Sequence, residues 1–135
     1  MKRLVVLPIL IILLLCGCIS SQNTDLWNDA IYKEDTTLGN GNTCLTLNLI
    51  VEKKEITFTI YTDKSTVGEA LIECELIEGE TSEYGMYIKK VNNIYADYSK
   101  SNAYWAFYIN ESYANSGVDS TQIEQGAIYT LEYTK

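Results

Sequence analysis

Two stretches after residue 42 alternate apolar and polar side chains, which is the pattern of a strand with one buried face. The first reads CLTLNLIV (44–51), the second reads ITFTIYT (56–62), and the charged tetrapeptide EKKE (52–55) separates them. The apolar positions that share one side are Leu45, Leu47, Leu49, Val51, Ile56, Phe58 and Ile60. The pattern predicts a β-hairpin whose apolar face packs inward.

A short amphipathic segment follows the hairpin, and three more alternating stretches come after it. Ser65 is a good N-cap and Glu69 lies in the first turns, so we predict a helix from Ser65 to Cys74. The later stretches are MYIKKV around Ile88, YWAFYI (104–109) and AIYTLEY (127–133). This order of elements predicts an α+β fold, with a β-grasp-like mixed sheet and one short helix packed on one face.

The first residues have the layout of a secretory signal. Lys2 and Arg3 precede an apolar run from Leu4 to Leu15 that is too short for a comfortable membrane span. Residues 15–18, LCGC, resemble the lipobox of prokaryotic lipoproteins, in which the last cysteine, here Cys18, becomes the lipidated first residue. The alternative is an uncleaved anchor helix with incidental cysteines. Both interpretations place the domain on the outer face of a bacterial cell membrane.

The chain therefore divides into three predicted segments. We expect a lipoprotein signal peptide at residues 1–17, a tether at residues 18–42 and one domain at residues 43–135. The tether is rich in Asn, Ser, Thr, Asp and Gly, which is typical of a linker, and it contains one sticky segment around Trp27.

The charge balance excludes several partners. The formal charge is −8, and removal of residues 1–17 takes away Lys2 and Arg3 and leaves −10. Such a chain repels nucleic acid and anionic lipid head groups. The glutamates between residues 73 and 83 lack the spacing of a calcium loop, so we interpret them as a solvated helix end and turn and predict no metal site.

The residue inventory favours a binding protein over an enzyme. The sequence contains no histidine, which excludes Ser-His and Cys-His nucleophile pairs and imidazole-ligated zinc. No carboxylate pair stands in an apolar setting, and no glycine loop could cradle a phosphate. Cys44 and Cys74 are left as either a disulfide or two free thiols, and free thiols are favoured because the two side chains point to different faces. We expect no catalytic residue.

Five short motifs resemble the transcobalamin-like C-terminal domain family. They are YGMYI (84–88), VNN (91–93), YWAFYIN (104–110), GV (117–118) and Gly126, and the resemblance covers roughly residues 44–135. It implies a β-grasp-like domain, which in animal cobalamin carriers is the smaller of two domains that close over the corrin ring. Bacterial members are commonly surface proteins or lipoproteins.

Two departures from this family bear on the turns and on ligand affinity. Asn93 and Glu111 stand where the family pattern has glycine, and Asn93 accepts a positive φ more readily than Glu111. The sequence contains no counterpart of the larger cobalamin-holding domain. We therefore expect modest affinity, because a ligand held by half a clamp keeps one face in water.

The aromatic stretch YWAFYI and the residues after it form the candidate ligand site. The candidate residues are Tyr104, Trp105, Tyr108, Asn110, Tyr113, Gly117 and Val118. Aromatic faces offer apolar contact area, an amide both donates and accepts, and a glycine permits close approach. Phe107 is predicted to be core, whereas Trp105 suits either core or a ligand platform. The predicted ligand is cobalamin or another amphipathic small molecule, without a certain cofactor.

A different class of function remains open beside this one. The aromatic strand could expose an edge that pairs with a surface protein by strand addition, which would make the domain an interaction or adhesion module.

Overall fold

The computed structural model describes residues 25–135. The predicted signal peptide, the lipid attachment at Cys18 and the first part of the predicted tether lie outside these residues. Among the described residues, no helix is both long and apolar enough to cross a membrane.

Residues 25–135 form nine strands, two short α-helices and two 3-10 helices. The strands are β1 (Thr36–Gly39), β2 (Thr43–Val51), β3 (Lys54–Thr62), β4 (Ile77–Ser82), β5 (Gly85–Val91), β6 (Ile94–Tyr95), β7 (Tyr104–Ile109), β8 (Ser112–Tyr113) and β9 (Ile128–Thr134). The α-helices are α1 (Val67–Glu73) and α2 (Tyr98–Ser101), and the 3-10 helices span Leu26–Asp29 and Val118–Ser120.

The strands are arranged in two sheets. Six of them pair in the order β1-β3-β2-β9-β7-β8, with β1–β3 and β2–β9 parallel and the other neighbours antiparallel. The strands β4, β5 and β6 form a separate antiparallel sheet. The α+β class and the mixed sheet are confirmed. The expectation that MYIKKV joins the same sheet is wrong, because β5 pairs with its sequence neighbours through short turns.

The predicted hairpin is present as β2 and β3 and supplies much of the core. Its register pairs Leu47 with Phe58 and Leu49 with Ile56, and all four side chains are buried. Leu71 of α1 belongs to the same apolar core. Burial of each large side chain contributes about 1.5–3 kcal/mol, so this core is the main source of stability.

Helix α1 begins with a capping box. Thr66, one residue after the predicted cap Ser65, accepts a hydrogen bond from the Glu69 amide at 3.2 Å, and the Glu69 carboxylate accepts one from the Thr66 amide at 3.2 Å. These bonds satisfy amides that the first helical turn leaves unpaired. Cys74 caps the other end, and both Cys74 and the exposed Cys44 are free thiols. Burial, and then the neighbouring Glu73 charge, raise the pKa of the Cys74 thiol.

The described part of the predicted tether is folded onto the domain. Trp27 is only 6% exposed and its Nε1 donates to the Val51 carbonyl at 3.1 Å. The strand β1 pairs in parallel with the edge of β3. Residues 25–42 of the predicted tether therefore include elements that pack against the domain. Their polar composition is that of a linker, but one buried indole and the hydrogen bonds of an edge strand are sufficient to hold them.

Asn92 attaches the same segment to the second sheet. Its side chain accepts from the Tyr32 amide at 2.9 Å and donates to the Tyr32 carbonyl at 2.7 Å, and it is completely buried. Tyr32 in turn packs edge-on against Phe58, with 5.7 Å between ring centroids. The N-terminal segment thus links the two sheets.

The two turns at which glycine is missing adopt the left-handed conformation. Asn92 and Asn93 have φ of 51° and 64° between β5 and β6, and Asn110 and Glu111 have φ of 48° and 69° between β7 and β8. Asparagine tolerates this region, but a glutamate there is strained. The chain keeps the turn geometry expected of glycine at Glu111.

Candidate functional site

The alternation of β7 divides the predicted site between two faces of the six-stranded sheet. Trp105 and Phe107 point to the core, with 7% and 8% of their surface exposed, and Phe107 stacks on Tyr129 at 6.1 Å. Tyr104 and Tyr108 point to the opposite face and are half-buried. Phe107 is therefore core, as predicted, and Trp105 is mainly core.

On the core side of β7 lies a cleft between the two sheets, which we call the inter-sheet cleft. Its volume is about 390 Å³. It is lined by Tyr84, Met86, Tyr87 and Ile88 from the β4–β5 hairpin, by Trp105 and Phe107 from β7, and by residues 113–118. Of the predicted residues, the cleft brings together Trp105, Tyr113, Gly117 and Val118.

Trp105, which lines the cleft, also carries a buried polar atom without a partner. The indole packs edge-on against Tyr133 with 5.5 Å between ring centroids. Its Nε1 is buried and has no hydrogen-bond partner among residues 25–135. A buried donor without an acceptor costs about 1–3 kcal/mol, so this indole N–H reduces the stability that the packing of Trp105 supplies.

Gly117 and Gly85 let the chain close around Asp119. The Asp119 Oδ1 accepts a hydrogen bond from the Met86 amide at 3.0 Å. A Cβ at Gly117 would lie 2.7 Å from this oxygen, and one at Gly85 would lie 2.9 Å from it. The close approach that Gly117 permits in this structure is therefore that of Asp119, which ties the 3-10 helix Val118–Ser120 to the hairpin.

On the other side of the sheet lies a second depression, which we call the outer groove. Its volume is about 510 Å³. It is lined by Asn48, Ile50, Glu55, Tyr108, Asn110, Glu111, Ile128, Thr130 and Glu132. Tyr108 and Asn110 are the predicted residues that lie here, while Tyr104 lines neither space.

Asn110 makes two hydrogen bonds to Ile128 within the fold. Its backbone N–H donates to the Ile128 carbonyl at 2.8 Å, and its side-chain Oδ1 accepts from the Ile128 backbone N–H at 2.9 Å. The side chain thus extends the pairing between β7 and β9 beyond the last residue of β7. The Oδ1 of Asn110 therefore uses one of its two acceptor sites within the fold.

The cleft contains residues that the sequence did not select as site residues. The motif YGMYI (84–88) was recognised, but its alternation does not reveal that β5 faces β7. The glutamates of β4 do not form part of the site, since Glu78 and Glu80 pair with Lys90 and Lys89 at 3.0 and 2.9 Å. Within residues 25–135, no three His, Cys, Asp or Glu side chains are grouped as metal ligands.

The fold and its cleft define a small α+β domain in which an aromatic strand lies between two potential binding surfaces. The chain belongs to the DUF4430 family, described as a domain of unknown function, whose profile matches residues 64–135. The predicted transcobalamin-like resemblance is confirmed by this match together with the structural neighbours. No curated protein matches the chain.

Solved structures with this fold include the following two. A protein from Ruminococcus gnavus ATCC 29149, described as a "putative metal binding protein", is 28% identical, with a TM-score of 0.65 over 70% of this chain and 98% of that one. Haptocorrin in complex with Cbi is 15% identical, with a TM-score of 0.53 over 71% of this chain. The matched part is 26% of the haptocorrin chain, and at this identity the likeness concerns the fold alone.

Proposed function

We propose that the protein is a non-catalytic, lipid-anchored binding protein on the outer face of the bacterial cell membrane. Its domain captures a small amphipathic molecule in the inter-sheet cleft. The observation that carries this proposal is the cleft of about 390 Å³ in which Trp105, Tyr113, Gly117 and Val118 meet the β4–β5 hairpin.

The size and lining of the cleft suit an organic ligand. Ligand pockets commonly measure 300–1,000 Å³ and combine apolar walls with a few polar groups. Here the walls are aromatic and aliphatic, including Trp105 and Phe107. Asn115 and Ser116 add polar groups at the rim.

The shared fold also supports the proposal of a small organic ligand. Haptocorrin, which has this fold, was solved with Cbi bound. Cobalamin or another amphipathic small molecule is therefore the first candidate ligand. Because a single domain would contact such a ligand from one side only, we expect a dissociation constant near micromolar, about −8 kcal/mol.

A fluorescence titration tests the ligand proposal. The chain has two tryptophans, so a Trp27→Phe background isolates Trp105 as the probe. We expect cyanocobalamin or another amphipathic compound from a small-molecule screen to quench Trp105 saturably. Tyr84→Ala should weaken binding without loss of stability, because Tyr84 lines the cleft and is 91% exposed.

The matched control is Tyr98→Ala, which removes an exposed tyrosine that lines neither the cleft nor the groove. The proposal fails if no screened compound quenches Trp105 and the protein instead captures a surface protein through the edge of β7. That result would favour the interaction module.

Lipid attachment is tested separately. It rests on the charged start, the apolar run and the residues LCGC (15–18). Mass spectrometry of the membrane fraction should find Cys18 as an acylated N-terminus. Release of an unlipidated protein, or retention of residues 1–17, would contradict it.

A further inference from the structure

The outer groove lies on the face of the six-stranded sheet opposite the core. Its lining combines the apolar surfaces of Ile50, Ile128 and the Tyr108 ring with the polar pair Asn48 and Thr130, and Ile128 is 46% exposed. The lining also contains the carboxylates Glu55, Glu111 and Glu132 and no lysine or arginine. We propose that the outer groove is a second binding site, which takes a small organic cation of the alkylammonium class.

The charge of the groove is not neutralised by the protein. Within residues 25–135, the ion pairs join Lys64 to Glu73, Lys89 to Glu80 and Lys90 to Glu78. None of them involves a carboxylate of the groove. Carboxylates without a basic partner give the groove a negative potential, which attracts a cation. Charge complementarity therefore favours a cationic occupant.

The aromatic component favours a cation that carries alkyl groups. Tyr108 packs edge-on with Tyr113 at 5.4 Å between centroids, which fixes its ring at the wall of the groove. Alkylammonium ions bind to aromatic faces through cation–π attraction, and their alkyl groups contact apolar surface at the same time. Desolvation and then the charge of Glu132 raise the pKa of the Tyr108 hydroxyl, which supports the proximity of ring and carboxylate.

The architecture of the sheet favours a small ligand over an added strand. The groove lies over β2, β9 and β7, where β2 pairs with β3 and β9, and β9 pairs with β2 and β7. The floor strands β2 and β9 thus offer no edge to a partner backbone. An occupant must bind through side chains, and about 510 Å³ matches a small-molecule site. This inference does not depend on a ligand in the inter-sheet cleft.

The test compares choline with 3,3-dimethyl-1-butanol, its neutral isostere, by calorimetry and by NMR of the ligand methyl groups. We expect choline to bind saturably in low salt, with methyl signals shifted by the Tyr108 ring. The neutral isostere should bind at least about fivefold more weakly, since only the charge differs. Sodium chloride at high concentration should weaken choline binding by screening the carboxylates.

Variants identify the groups responsible. Glu132→Gln should reduce choline affinity about fivefold, and Tyr108→Leu about two- to fivefold, while Tyr108→Phe should retain it because the ring remains. Tyr98→Ala is the control away from the groove, and thermal melting confirms that each variant is folded. Tyr84→Ala, in the cleft, should leave choline binding unchanged.

Three results would overturn the proposal. The first is equal binding of choline and its isostere, which would indicate an apolar groove without cation selectivity. The second is an unchanged affinity in Glu132→Gln. The third is the absence of saturable choline binding, and Glu132-dependent binding of an oligolysine peptide would then assign the groove to a cationic protein segment.

Discussion

The inter-sheet cleft and the outer groove share strand β7 but use its side chains differently. The cleft is built from side chains of the core, such as Trp105, Phe107 and Val118, which are all buried. The groove is built from half-buried or exposed side chains, such as Tyr108 and Ile128. A change at a buried residue of the cleft, such as Trp105, should therefore affect folding and binding together, whereas a change in the groove should affect binding with little effect on folding.

The largest expected difference between the two sides concerns Trp105 and Tyr108. Trp105→Ala should lower the free energy of unfolding by about 3–5 kcal/mol, since it removes a buried aromatic side chain. Tyr108→Ala should lower it by about 1 kcal/mol or less, because its side is not packed by a second layer. Urea unfolding of both variants measures this difference. Equal destabilisation would remove the distinction between the faces.

Asn92 offers a second test of the difference between cleft and groove. It directly follows β5, the strand that forms one wall of the cleft. Asn92→Ala loses two buried hydrogen bonds to Tyr32 and places alanine at a φ of 51°. We expect a loss of about 2–3 kcal/mol. Ligand quenching in the cleft should weaken, while choline binding in the groove should persist. Loss of both at a temperature where the variant is folded would show that the sites are coupled.

Glu111 tests strain at the rim of the groove. Glu111→Gly removes the Cβ at a φ of 69°, where glycine is relaxed. We expect a gain in stability of about 0.5–1 kcal/mol, seen as a higher melting temperature. Glu52→Gly, at a φ of 57° in the β2–β3 turn, is the matched control for relief of strain away from β7. A lower melting temperature for Glu111→Gly would mean that the glutamate side chain stabilises the turn.

The smallest expected effect is in the titration of Tyr108. Its pKa is raised above the ordinary value of 10.0, first by desolvation and then by Glu132. The raised pKa favours the neutral phenol in the folded state. Its contribution to stability is therefore complete below pH 10 and declines as the pH rises through the folded value.

In Glu132→Gln the Tyr108 pKa should move part of the way back, because the larger cause, desolvation, remains. NMR of the labelled tyrosine rings measures this shift, with the unsubstituted protein as the reference. A Tyr108 titration that is unaltered by the substitution would place Glu132 too far from the ring to assist a cation.

Local patterns predicted several parts of the fold correctly. The alternation of 44–51 and 56–62 placed the hairpin and its buried side chains, because strand periodicity is a local property. The two-face division of YWAFYI was also visible, although it does not say which face receives a second sheet. The predicted site was therefore one surface, while the structure distributes its members between a cleft and a groove.

The sequence by itself determined the elements that form between residues close together in the chain. These are the hairpin, helix α1 and the turn at Asn92 and Asn93. Only the tertiary structure decided that β5 lies opposite Trp105, that Asn110 is used by Ile128 and that Trp27 is buried beside Val51. These contacts join residues about 17 to 24 positions apart, and side-chain periodicity within one strand does not specify the partner across such a distance. They depend instead on how the complete core closes.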